Sequence, residues 1–268
     1  MADTGLDPAA RLHWPEYLIE GALLGALMIT IGGLVTLFEY PGSAVHAALD
    51  SAALRRAFIG AGVGLAVTLL AYSPWGKRSG AHMNPAVTLA FLGLRKISRV
   101  DAAFYVAAQF AGGTLGVALA AAIFGAAFTE APVEFAVTIP GEAGPWVAFL
   151  AELVLSAGLM ITILAMTSSN VASLTGFVVG ALIAVYIALE APLSGMSINP
   201  ARTFASAAPL GSFGHLWIYF VAPTLGAVGG ALVYVAMGRR AYCAKLIHES
   251  EESCIHCAWK KRARAEGR

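Results

Sequence analysis

The sequence predicts an all-α membrane protein with six transmembrane helices plus two re-entrant half-helices, arranged as an inverted repeat. Three observations carry that expectation. Of 268 residues, 58% are hydrophobic and only 12% are charged, about half the charge of a typical soluble domain. The apolar residues gather into six stretches separated by polar, Pro- or Gly-containing links. The string Asn-Pro-Ala occurs twice, at 84–86 and 199–201, each time behind a Gly-containing loop, with three apolar stretches between the copies. The net charge of +1 says nothing either way about nucleic acid, and none is expected as a partner.

In chain order, residues 1–16 are polar and read as a short tail. The first span is expected over 17–37, interrupted only by Glu20. No cationic segment precedes a short apolar run, so no cleavable signal peptide is expected. The second span, 57–72, is short and ends at Ser73-Pro74, where the first re-entrant loop begins. A half-helix follows over 85–94, then a basic link with Arg95, Lys96 and Arg99. The third span falls near 102–124. A long loop carries Glu130, Pro132, Glu134, Pro140 and Glu142. The fourth span, 146–166, contains Glu152. The fifth, 174–189, is again short, and a second loop and half-helix, 200–210, lead to the sixth span, 216–237. One membrane domain is therefore expected over 17–237, with halves at about 17–128 and 144–237 and a basic tail at 238–268.

The two Asn-Pro-Ala strings read alike. Asn is a favoured N-cap, because its side-chain oxygen satisfies an orphan backbone N–H. Pro fits the first helical position, where its missing N–H costs nothing. Each string should therefore open a helix with its positive dipole end at the Asn. Roughly ten residues of helix reach about 15 Å, half of a bilayer core, so two half-helices meeting end to end fill one span. Loops 73–84 and 190–199 read as non-helical from their Pro and Gly content. At membrane depth, irregular backbone survives only where it lines a cavity or is buried in protein.

The halves repeat. Glu20 is followed seven residues later by Leu27-Met28-Ile29-Thr30-Ile31, and Glu152 by Leu159-Met160-Ile161-Thr162-Ile163. Gly60 and Gly64 match Gly176 and Gly180, a small-xxx-small pattern that permits close helix crossing. Gln109 and Gly112 match Pro223 and Gly226. Three spans per half is odd, so the second half enters the membrane in the opposite sense. Lys77, Arg78, Arg95, Lys96, Arg99 and the basic tail fall on one side; Arg55 and Arg56 fall on the other, with Glu130, Glu134 and Glu142. The positive-inside rule then puts both termini in the cytoplasm, in a multi-pass protein of the plasma (inner) membrane.

The paired boxes, the longer string Ser-Gly-Ala-His-Met-Asn-Pro-Ala-Val-Thr at 79–88 and Asn-Pro-Ala-Arg at 199–202 resemble the aquaporin (major intrinsic protein) family, and the likeness covers about 17–237. The resemblance implies a passive water channel that excludes protons and ions, with no enzymatic activity and no cofactor, and usually a homotetramer with one pore per chain. Asn84 and Asn199 would meet at the middle of the path, offering amide donors backed by two helix N-termini. Arg202 would line the narrowest constriction while bonding loop carbonyls; an embedded charge by default marks a functional path. Aligned on the glycine repeat, the other constriction positions are Val63, Ile187 and Met196. Water-selective relatives tend to carry an aromatic residue and a His at the first two. The constriction here reads as more apolar and wider, which supports an alternative: a channel for glycerol, ammonia or a metalloid acid. Against that alternative, glycerol-conducting members tend to have Asp after Asn-Pro-Ala-Arg, where this chain has Thr203, and Ala207, Tyr219 and Phe220 also resemble the water-channel side.

Glu20 and Glu152 admit two roles, a proton relay or a brace that accepts hydrogen bonds from the re-entrant loops. Their repeat-equivalent placement and the resemblance favour the brace. His82 is read as a packed, bonded loop residue supporting the first loop. An ion-coupled transporter would also use broken helices, but beyond the two Glu there is no paired carboxylate or charged cluster. A purely adhesive junction protein would not need intact Asn-Pro-Ala boxes and Arg202. The three Cys, at 243, 254 and 257, are all C-terminal and imply no disulfide framework. His248, Cys254, His256 and Cys257 could hold zinc, but their irregular spacing reads as part of a solvated basic tail and no metal is assigned. The stretch 260–268 is expected at anionic lipid headgroups.

Overall fold

A computed structural model describes residues 12–248 and 254–256. The N-terminal residues of the first tail, Cys257 and the basic stretch 260–268 lie outside the described residues. Among those described, every regular element is helical. Six helices are long and apolar enough to cross a membrane: α1 (Trp14–Glu39), α3 (Ala52–Tyr72), α6 (Arg99–Phe124), α8 (Pro145–Thr167), α9 (Thr175–Ser194) and α11 (Leu216–Ala236). The half-helices are α5 (Pro85–Gly93) and α10 (Pro200–Ala207); α2 (Ala44–Ala48), α4 (Pro74–Ser79) and α7 (Ala126–Thr129) are short surface or loop turns.

The spans extend up to five residues beyond the sequence-based bounds, because capping sets the ends rather than hydropathy. Ser51 accepts from Leu54 N and opens α3, and Ser98 accepts from Asp101 N and opens α6. Two loop expectations need correction. Residues 74–79 form α4, where Pro74 takes the first helical position and the Ser73 hydroxyl accepts from Gly76 N. Likewise α9 runs through Pro192 to Ser194, so the second loop is non-helical only from Gly195. The proline removes one backbone donor near the helix end, a smaller loss than in mid-helix.

Packing follows the repeat. The most extensive helix pairs are α1 with α6, α8 with α11, and α3 with α9. The first two are repeat equivalents; the third joins the halves. At its centre Gly64 and Gly180 face each other. A Cβ on Gly64 would stand 2.3 Å from the Gly180 carbonyl oxygen, and one on Gly180 would stand 2.4 Å from that of Gly64. Only glycine at both sites permits this approach. Each half-helix crosses over to the other half, α5 onto α11 and α10 onto α6. Leu65, Leu69, Leu115, Leu119, Val154 and Leu225 point outward and are exposed, as a lipid-facing belt requires. Trp14, Trp75, Trp146 and Trp217 are exposed near helix ends, the usual level of interfacial aromatics.

Candidate functional site: a cavity between the half-helices

The two Asn-Pro-Ala strings interlock. Asn84 Oδ1 accepts from Ala86 N at 2.9 Å, and Asn199 Oδ1 accepts from Ala201 N and Arg202 N at 3.1 and 3.2 Å. Each oxygen therefore caps its own half-helix. The amides are not both free, however. Asn84 Nδ2 donates to Ile198 O and Asn199 Nδ2 donates to Met83 O, each at 2.7 Å. A primary amide has two N–H donors, so each Asn spends one across the junction and keeps one. Met83 and Ile198 can present these carbonyls because both hold positive φ, 48° and 49°, as do Ala81 and Met196 in the equivalent places. Such backbone costs of order 1–3 kcal/mol per non-Gly residue and persists only where its surroundings hold it.

Two buried carboxylates hold it. Glu20 Oε1 accepts from Ser79 Oγ and His82 N at 2.7 and 3.1 Å; its Oε2 accepts from Met83 N and Gln109 Nε2 at 2.7 and 2.9 Å. Glu152 Oε1 accepts from Ser194 Oγ and Ser197 N at 2.8 and 2.7 Å, and its Oε2 from Ile198 N at 2.6 Å. Both Glu are fully buried. His82 lies against the first loop, with Nδ1 3.0 Å from Thr88 Oγ1 and Nε2 donating to Ala244 O at 2.7 Å. Sequence reasoning missed a further pair: Tyr105 donates to Ser79 O at 2.7 Å, and Tyr219 donates to Ser194 O at 2.6 Å. The register that matches Gln109 to Pro223 also matches these tyrosines, so the repeat held that signal.

Between the loops lies a cavity of about 360 Å³. Val63, Ile187, Met196, Arg202, Asn84 and Asn199 all line it, so every residue assigned to the path from the sequence faces one space. Glu39 and Arg56 line it too, as do His82 and Leu246. Beside Glu39, Arg55 Nη2 pairs with Glu39 Oε2 at 3.1 Å. The expected bonds from the Arg202 side chain to loop carbonyls are not found among the described residues, and its Nη1 is buried without a hydrogen-bond partner there. A planar guanidinium with an unspent donor beside the apolar Val63, Ile187 and Met196 can bind a hydroxyl or water oxygen. Glu190, absent from the sequence reading, is buried beside Ser194, and neither of its oxygens makes a hydrogen bond of ordinary geometry among the described residues. Thr203 and Tyr219 are fully buried and do not line the cavity; Thr203 instead pairs with the Ser197 hydroxyl.

The tail departs most from expectation. Rather than being solvated, Ala244, Lys245, Leu246 and Ile247 are buried. The segment lies under the first re-entrant loop: Leu246 N donates to Gly80 O at 3.1 Å, Lys245 Nζ donates to Lys77 O at 2.8 Å, and His256 Nε2 lies 3.1 Å from Ser79 O. Burial pushes His256 down to about 4, helped by the neighbouring His82. A hydrogen bond with the Cys243 thiol brings Cys254 down to about 3 against the opposing effect of burial. Since Arg78 pairs with Glu16 at 3.0 Å, the described N- and C-terminal segments lie on one side of the bundle.

Residues 18–234 match the family model for the major intrinsic protein. The chain belongs to the major intrinsic protein family. Members of that family are channels, not enzymes, and with its six apolar spans the chain is an integral, multi-pass membrane protein. It is 38% identical over 173 residues to a putative aquaporin NIP4-1 of Arabidopsis thaliana, covering 64% of this chain and 59% of that one. It is 40% identical over 174 residues to aquaporin NIP2-2 of Zea mays, covering 64% and 56%. The chain thus spans less than two thirds of the length of these relatives. An aquaglyceroporin structure from Plasmodium falciparum shares the fold, with a TM-score of 0.70 at 22% identity over 83% of this chain and 96% of that one.

Proposed function

We propose that the chain is a passive channel for small neutral solutes such as glycerol, ammonia or a metalloid acid, with water as a co-permeant rather than the selected species. The observation that carries this reading is the wall of the cavity: Val63, Ile187 and Met196 are apolar, and Arg202 lines the same space with an unspent donor. Such a wall suits a small amphipathic solute, whose C–H face packs on aliphatic carbon while its hydroxyls reach the donor and the loop carbonyls. Of the residues that favoured strict water conduction, Thr203, Ala207, Tyr219 and Phe220, two are packed off the cavity and bond within or to the second loop: Thr203 with the Ser197 hydroxyl and Tyr219 with Ser194 O. The kinship with relatives named aquaporin NIP and the shared fold with an aquaglyceroporin support the same reading. Against cations, the N-termini of α5 and α10 and the Arg202 charge act together, as opposed half-helix dipoles do in narrow pores. The channel domain is 17–237, Glu20, Glu152 and His82 support its loops, and assembly as a homotetramer belongs to the same proposal.

Proteoliposomes test the solute. In stopped-flow light scattering, an inward glycerol gradient should give shrinkage followed by re-swelling at a rate well above that of empty liposomes. Water permeability without any glycerol or ammonia flux would return the reading to a strict water channel.

The side of the membrane is open to a separate test. Lys77, Arg78, Arg95, Lys96 and Arg99 share the face on which the described ends of the chain lie, so that face is cytoplasmic by the positive-inside rule. A C-terminal tag should resist external protease in intact cells and be cut after permeabilisation. Cleavage in intact cells would reverse the orientation.

A further inference from the structure

We propose that Cys243, His248 and Cys254 form a zinc site that fastens the C-terminal segment beneath the first re-entrant loop. One ligand atom from each of these residues converges so that all three lie within 4.8 Å of one another. The Cys243 and Cys254 sulfurs are 3.5 Å apart. Tetrahedral zinc with thiolates at about 2.3 Å sets its sulfurs roughly 3.8 Å apart, so the two thiols already stand near the separation that the ion requires. They are well beyond the about 2.04 Å of a disulfide bond, and a disulfide would leave the convergence of His248 without a purpose. Two thiols and an imidazole are a soft donor set suited to zinc, and to no alkaline-earth ion. Cys257 stands after Cys254 in Cys-x-x-Cys spacing, but it lies outside the described residues and is no part of the proposed site.

The surroundings say what the ion would do. Residues 241–248 have no regular helix or strand, yet 241 and 243–247 are buried. An irregular segment has no ladder of its own to hold it, and this one relies on scattered bonds to Lys77, Gly80 and His82. A metal joining Cys243, His248 and Cys254 adds a clamp to those bonds. Leu246, inside the clamped stretch, is a wall residue of the cavity, so the site fixes one face of the path from below. His256, by contrast, reaches Ser79 O and stacks beside His82; it is not a ligand, although its sequence position beside the Cys-x-x-Cys invites that reading.

The test uses the full chain in detergent, reduced, loaded with zinc chloride and then dialysed. Metal analysis should find about one zinc per chain in the wild type and in His256→Ala, and at least about tenfold weaker zinc retention in Cys243→Ser and Cys254→Ser, the scale of losing a ligand. Cobalt in place of zinc should give intense thiolate-to-cobalt charge-transfer absorption in the wild type, a readout that needs no variant to fold. Tryptic cleavage after Lys245 should be slow with zinc and fast after chelation. Substoichiometric zinc in reduced wild type, a cobalt spectrum without thiolate bands, equal retention in the serine variants, or a Cys243–Cys254 disulfide in protein isolated without oxidant would each overturn the site. Zinc binding with unchanged cleavage after Lys245 would overturn the fastening.

Discussion

Glu152→Ala should abolish most of the folded protein. Three donors converge on this carboxylate, the Ser194 hydroxyl and the backbone amides of Ser197 and Ile198. Alanine leaves both amides buried without partners, at about 1–3 kcal/mol each, in a loop whose Met196 and Ile198 already hold positive φ. The sum is a large part of the 5–15 kcal/mol that holds an ordinary domain together. Glu152→Gln keeps one carbonyl oxygen, which can accept two of the three bonds, but turns an N–H₂ toward the remaining donor. Its loss should therefore be intermediate, and the order wild type, Gln, Ala should appear in detergent-extracted monodisperse yield and in thermal aggregation temperature. A Glu152→Gln protein that folds like the wild type yet conducts nothing would make the group a proton relay instead of a brace.

The parts of this molecule that the sequence made legible are those in which a residue type has one physical use. Asn-Pro at a helix start is such a case, since few other residues both cap and begin a helix; both half-helices begin at the expected Pro. A glutamate at repeat-equivalent places in two apolar spans is another: Glu20 and Glu152 each collect the donors of one re-entrant loop. Gly64 and Gly180 belong here as well, since a helix crossing that close admits nothing larger. Helix ends were less legible. Hydropathy falls off before a helix stops, and Ser51 and Ser98 cap their helices outside the apolar windows. Most hidden were contacts between positions far apart in the chain with no periodicity to link them. Nothing in the local pattern of residues 241–248 says that Ala244 O will meet the His82 ring. Charge composition marked the tail as solvated, whereas residues 241 and 243–247 are buried under the re-entrant loop. In the same way, Thr203 and Tyr219 look diagnostic in a string of letters, and only the three-dimensional wall shows that they do not line the cavity.

Val63→Phe should separate the solutes. Val63 stands on the cavity wall with Ile187, Met196 and Arg202, and a phenyl ring there fills space in the same cavity. Water needs only a single-file path. A three-carbon polyol needs width as well as partners, and each hydroxyl stripped of its hydrogen bond costs about 1–3 kcal/mol in this setting. With 1.4 kcal/mol corresponding to tenfold, glycerol flux should fall by at least about tenfold while water flux falls by no more than about threefold. Arg202→Val works the other way. It removes an always-charged group from the wall, and with it the donor that orients oxygen and the charge that repels cations. Width increases, so glycerol flux should be retained or rise, and proton leak, read with a pH-sensitive dye inside the liposomes, should climb well above that of the wild type. Val63→Phe is the more discriminating of the two, because a ring on the wall leaves the Asn84–Asn199 junction and both Glu braces untouched. Equal loss of water and glycerol in Val63→Phe, at normal expression, would mean that the narrowest point lies elsewhere along the cavity, at the Glu39 and Arg56 end or at Leu246.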